Sequence, residues 1–212
     1  MRKILPNLLT VLRVFAIPAV VASFYINCTC AHFVTFLIFI FACITDFFDG
    51  YLARRWGVQS RFGRVFDPAA DKLIVISTLV MLVHADRISG VSVIFVIVIV
   101  CREILVSCMR EFLMAAQISI PVSEMGKLKT VTQMIATALL ILDDETVTQI
   151  ISTTLLFLNN AMSTQILSIV RVVLYGELVE RVGEAFLCVA AILSIHSMFL
   201  YTRDALVKTK SC

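Results

Sequence analysis

Four aspartates stand where an apolar chain should not carry them. Asp46 and Asp49 close one long apolar segment, and Asp67 and Asp71 open the next. An ionisable side chain in or near a membrane span costs a few kcal/mol or more, so each needs a chemical reason. On a helix, residues three or four apart share a face. Asp46 and Asp49 are therefore neighbours, and Gly63, Asp67 and Asp71 form a second row at i, i+4, i+8. If the two helices pack side by side, both rows can face each other at one end. Converging carboxylates cannot all stay ionised without positive charge nearby. Arg54, Arg61, Arg64 and Lys72 could supply it as an ion-pair cluster. A divalent cation is the other solution, and hard oxygen donors without His or Cys select Mg²⁺, Mn²⁺ or Ca²⁺ over zinc. Two such ions would suit phosphoryl-type transfer, stabilising both the entering and the leaving oxygen.

Gly50, Ala53 and Gly63 lie within a turn of these acids. Small residues there let a bulky ligand approach the backbone, although close helix packing uses the same residues. Asn7, Thr10 and Arg13 recur every three residues near the start. They could reach a nucleotide or phosphate; helix capping and interface anchoring explain them equally well. His32, His84 and His196 have no companion ligands and read as packing or interface residues. The seven Cys fall mostly in apolar segments and read as small hydrophobes, with Cys28 and Cys30 in a loop.

The elements that must hold the acids follow from composition. Hydrophobic residues are 60% of the 212, charged residues only 16%, and the mean hydropathy is +0.98. A soluble domain carries about a quarter charged residues, so a soluble fold is excluded. Apolar runs such as VIFVIVIV lack the period-two alternation of a membrane barrel. Segments near the roughly 20 residues needed to span a bilayer occur at Leu8–Ile26, Phe33–Leu52, Ala69–His84, Val91–Ala116, Lys129–Leu142 and Val182–Tyr201. The expected fold is an all-α integral membrane protein, one domain over residues 1–212. It is a bundle of about six transmembrane helices with an N-terminal segment partly in the interface. Residues 144–181 admit an outer amphipathic hairpin, a re-entrant element, or an extended last helix pairing Glu177 with Arg181. Thirteen of eighteen Lys and Arg fall on one side of six spans. The positive-inside rule then places both termini and the acidic end in the cytosol, in an inner or plasma membrane. A net charge of +3 gives no reason to invoke nucleic acid.

The string Asp46-x2-Asp49-Gly50-x2-Ala53-Arg54-x8-Gly63-x3-Asp67-x3-Asp71 resembles, at all eight fixed positions, the signature of the CDP-alcohol phosphatidyltransferase family. The likeness implies a membrane enzyme, commonly a homodimer, that displaces CMP from a CDP-linked lipid with an alcohol. It implies two Mg²⁺ or Mn²⁺ ions held by Asp46, Asp49, Asp67 and Asp71, with Asp71 also the catalytic base. It implies further that Gly50, Ala53, Arg54 and Gly63 accommodate the cytidine diphosphate. Pro6-Asn7-Leu8-Leu9-Thr10-x2-Arg13 is similar to the family's N-terminal element. Arg102-Glu103, Arg110-Glu111-Phe112 and Gly126-Lys127-Leu128-Lys129-Thr130-x2-Gln133-Met134 resemble the branch that joins CDP-diacylglycerol to sn-glycerol 3-phosphate. The likeness covers about residues 4–142.

The acceptor's chemistry points the same way. Glycerol 3-phosphate is a small dianion, and Arg binds phosphate through a planar fork while Lys adds point charge. Arg102, Arg110 and Lys127 are the expected phosphate ligands; Lys129 is expected to be an interface residue. Against this, Arg102 could simply pair with Glu103, and the others could snorkel. Rival readings are the same chemistry on phosphatidylglycerol, inositol phosphate or serine, and a divalent-cation transporter. The transporter would spread its acids through the membrane depth rather than cluster them at one end.

Overall fold

The computed structural model describes the backbone of residues 4–26, 29–56, 61–117, 124–142 and 164–210. Side chains are described for residues 11–26, 31–45, 69–117, 125–142 and 178–208. Among the described residues there are six helices and no strand: α1 (Ile4–Ser23), α2 (Thr29–Trp56), α3 (Arg61–His84), α4 (Ser92–Ala115), α5 (Glu124–Ile141) and α6 (Thr164–Lys210). Each of the six apolar segments falls on one helix. Most helices run past the apolar stretch that announces them. α2 continues four residues beyond Leu52, and α3 begins eight residues before Ala69. The backbone goes on bonding to itself after the side chains turn polar, and so the acidic signature lies on helix rather than in a loop.

Of the alternatives for residues 144–181, the extended last helix describes the part from Thr164 onward, since α6 is 47 residues long. Residues 143–163 and the Glu177 side chain lie outside the described residues, as do the side chains of Cys28 and Cys30. By length and composition, two helices among the described residues can cross a membrane, Ser92–Ala115 and Leu178–Lys208.

α6 packs along α5 and α4, and α1 packs along α3 and α2; α5 joins the two groups by touching α2 and α3. The core draws on five helices: Phe39 of α2, Leu79 and Leu82 of α3, Ile99 of α4, Ala136 of α5, and Leu187 and Ala190 of α6 are all fully buried. Small residues bring α5 and α6 close. A Cβ built on Gly183 would stand 2.9 Å from Cγ of Leu140, itself a buried core residue.

Around this apolar core, polar groups are also buried and large apolar side chains face outward. Arg13, Thr35, Thr78, Lys129, Gln133, Thr137, Ser194 and Ser197 are buried, whereas Phe15, Phe112 and Phe199 are exposed. Three interior threonine hydroxyls are satisfied on their own helices: Thr35 donates to the Ala31 carbonyl at 2.8 Å, Thr78 to Ile74 at 2.7 Å and Thr137 to Gln133 at 2.9 Å. Bonds of this kind offset the cost of placing a hydroxyl in an apolar interior. The rings of His32 and His84 lie against Phe24 and Tyr25, as packing residues do.

Candidate active site

Three helices build a cleft of ≈ 210 Å³. α3 contributes Asp71, Lys72 and Val75. From α4 come Glu103 and Arg110, seven residues apart and thus two turns along one face. α5 closes the wall with Thr130, Gln133 and Met134, at i, i+3 and i+4. The cleft therefore holds one carboxylate from α3, one from α4, and a cation from each of the same helices.

Three of these four charged groups are tied from behind. Asp71 is gripped by the guanidinium of Arg13, which reaches across from α1. The Arg13 side chain is 1% exposed and that of Asp71 28%, so the pair is buried on the arginine's side and open on the carboxylate's. Lys72 donates to Oγ of Ser107, and that hydroxyl donates to the Glu103 carbonyl one turn back. Glu103 receives Lys129 from α5 and, at 3.5 Å, Arg102 from its own helix. Arg102 also donates to Oγ of Ser197 on α6 at 2.7 Å.

The expected site residues can now be placed. Arg110 lines the cleft. Arg102 lies behind the wall, bonded to Ser197 and paired with Glu103, as its alternative reading supposes. Lys127 is exposed near the start of α5. Asp46, Asp49, Gly50, Ala53 and Arg54 lie on the second half of α2, and Gly63 and Asp67 on the first turns of α3. α2 and α3 touch, but these side chains, with those of Asn7 and Thr10, lie outside the described residues. Lys129 corrects its expectation. Its side chain is 2% exposed and bonded to Glu103, so it is an interior ion and not an interface anchor. Glu103 held the missed signal, because a carboxylate within an apolar helix demands a counter-ion, and one adjacent arginine satisfies it only in part.

Helical throughout its described residues, with buried polar groups, an apolar exterior, and carboxylates and cations meeting in a small cleft, the molecule has the organisation of a membrane enzyme that handles anions. Comparison with known proteins gives the family. Residues 3–195 match the CDP-alcohol phosphatidyltransferase family, and the chain belongs to it. It is 44% identical over 140 residues to the CDP-diacylglycerol–glycerol-3-phosphate 3-phosphatidyltransferase of Rickettsia felis, covering 66% of this chain and 76% of that one. The protein of the same name in Rickettsia typhi is 46% identical over 140 residues, 66% of this chain and 77% of the relative. In Pectobacterium atrosepticum the likeness is 34% over 203 residues, 95% of this chain and 94% of the relative.

Proposed function

We propose that the protein transfers the phosphatidyl group of CDP-diacylglycerol to sn-glycerol 3-phosphate, releasing CMP and leaving phosphatidylglycerol phosphate in the membrane. The observation that carries this reading is the convergence of Asp71, Lys72 and Arg110 on one cleft. A base beside two cations, in a space suited to a small anion, fits a phosphorylated alcohol better than serine or free inositol. The relatives' shared name supports the same acceptor.

In this reading the phosphate of the acceptor lies on Arg110 and Lys72, with Lys127 near the entrance. Asp71 takes the proton of the C1 hydroxyl as that oxygen attacks the phosphorus bearing diacylglycerol. The bond from that phosphorus to the oxygen of CMP breaks, and CMP carries the electron pair away. Arg13 orients Asp71, which reduces what positioning must otherwise supply. Gly50, Ala53, Arg54 and Gly63 accommodate the cytidine diphosphate, with Asn7 and Thr10 within reach of it.

The donor set fits hard dications. Asp46, Asp49, Asp67 and Asp71 offer only oxygen, and they sit on two touching helices. These four would hold Mg²⁺ or Mn²⁺, and bound ions would supply charge neutralisation at the pyrophosphate. Six spans, cytosolic termini and site, and a homodimer complete the proposed arrangement.

The test is CMP release by the purified protein from radiolabelled CDP-diacylglycerol with each acceptor in turn. Turnover with sn-glycerol 3-phosphate, and little with phosphatidylglycerol, inositol phosphate or serine, is expected. Preference for another alcohol would replace the acceptor. Metal flux in proteoliposomes without CMP release would replace the reaction class.

A further inference from the structure

Glu103 is out of keeping with the cleft it lines. A carboxylate facing a site for a dianion should repel it, and a purely structural ion pair could be buried away from the cavity. Two features resolve this. Lys129 and Arg102 both approach Glu103, so its charge is cancelled locally. Neither cation lines the cleft, whereas Glu103 does, with 11% of its side chain exposed. The carboxylate is thus neutralised from behind the wall while it still borders the cavity.

We infer that Glu103 is a specificity-determining residue, whose carboxylate accepts a hydrogen bond from the C2 hydroxyl of the acceptor. The inference rests on the acceptor reading above and deepens it. With the C1 hydroxyl at Asp71 and the phosphate at Lys72 and Arg110, the C2 hydroxyl is the one polar group of glycerol 3-phosphate still needing a partner. An ionised carboxylate is acceptor-only, so it selects a hydroxyl and rejects a hydrogen or an ether at that carbon. Gln133 on the same wall can donate as readily as accept and does not discriminate in this way. Carbon 2 is also the stereocentre of the acceptor, so a carboxylate held in place by Lys129 reads its handedness. Lys129 is then a positioning residue: it acts on the acceptor only through Glu103.

The test compares sn-glycerol 3-phosphate with 3-hydroxypropyl phosphate, which lacks only the C2 hydroxyl, and with sn-glycerol 1-phosphate. The readout is CMP release from CDP-diacylglycerol. A hydrogen bond to a charged acceptor predicts a wild-type preference of about 10- to 100-fold in kcat/KM over 3-hydroxypropyl phosphate. Glu103→Leu combined with Lys129→Met removes the charge pair together with every hydrogen-bonding atom of side chain 103, and its preference should fall to near unity. Glu103→Asp keeps the charge but withdraws the oxygens by one methylene; it should weaken the same ratio, and serves if the double variant does not fold. Wild-type enzyme using both acceptors equally, or variants keeping the wild-type ratio, would overturn the inference while leaving the reaction intact. Absence of CMP release with sn-glycerol 3-phosphate itself would overturn both.

Discussion

Arg13 and Asp71, 58 residues apart in the chain, form an ion pair that ties the first helix to the third. The arginine is buried, and the carboxylate keeps an open side toward the cleft. A carboxylate held in this way is fixed by a group that does not itself line the cleft.

Arg13→Ala should therefore lower kcat by about 100-fold, the loss expected when a reacting group is misplaced by an ångström or so. Arg13→Lys should recover part of it, since charge is restored without the fork. Asp71→Asn should abolish turnover while retaining most CDP-diacylglycerol binding. Single-turnover CMP release and equilibrium binding of the nucleotide lipid distinguish the variants.

Lys72→Met and Arg110→Ala should each act on the acceptor. Loss of a charge-assisted contact to phosphate predicts a rise in KM for sn-glycerol 3-phosphate of about 10-fold or more. The KM for CDP-diacylglycerol should change far less. Steady-state kinetics with each substrate varied in turn check the split.

Glu103 and Lys129 make a prediction about stability. Removing one member of a buried pair strands the other, at a cost of about 3–5 kcal/mol. Lys129→Met should thus lower the thermal transition in detergent, whereas Glu103→Gln with Lys129→Met should regain most of the loss. Arg102 moderates the effect, because it remains beside Glu103 in the single variant.

Chelation should stop CMP release, with Mg²⁺ or Mn²⁺ restoring it and Zn²⁺ failing to do so. Asp46→Ala, Asp49→Ala and Asp67→Ala should each raise the Mg²⁺ concentration needed for half-maximal turnover. Titration of metal into the chelated protein measures both.

The fold was largely legible because apolar length is a property of consecutive residues. Pairings between helices are not. Arg102 beside Glu103 is visible in the chain, but Lys129 lies on a different helix, and nothing in the spacing aims it at Glu103. At the start of an apolar run, a lysine looks the same whether it reaches outward to the interface or inward to a carboxylate. The extent of the last helix stayed open among three readings for another reason. Glu177, Glu180, Arg181 and Glu184 interrupt the apolar run and look like a boundary, yet Glu184 bonds Ser92 of α4 at 2.8 Å within a continuous helix. Charge ends a span without ending a helix.

α6 runs unbroken for 47 residues, from Thr164 to Lys210, and at 1.5 Å per residue it is about 70 Å long, more than twice the roughly 30 Å hydrocarbon thickness of a bilayer. That one rod carries both Gly183, seated against Leu140 of α5, and Ser197, which holds Arg102 of α4, so its two attachments to the bundle move together.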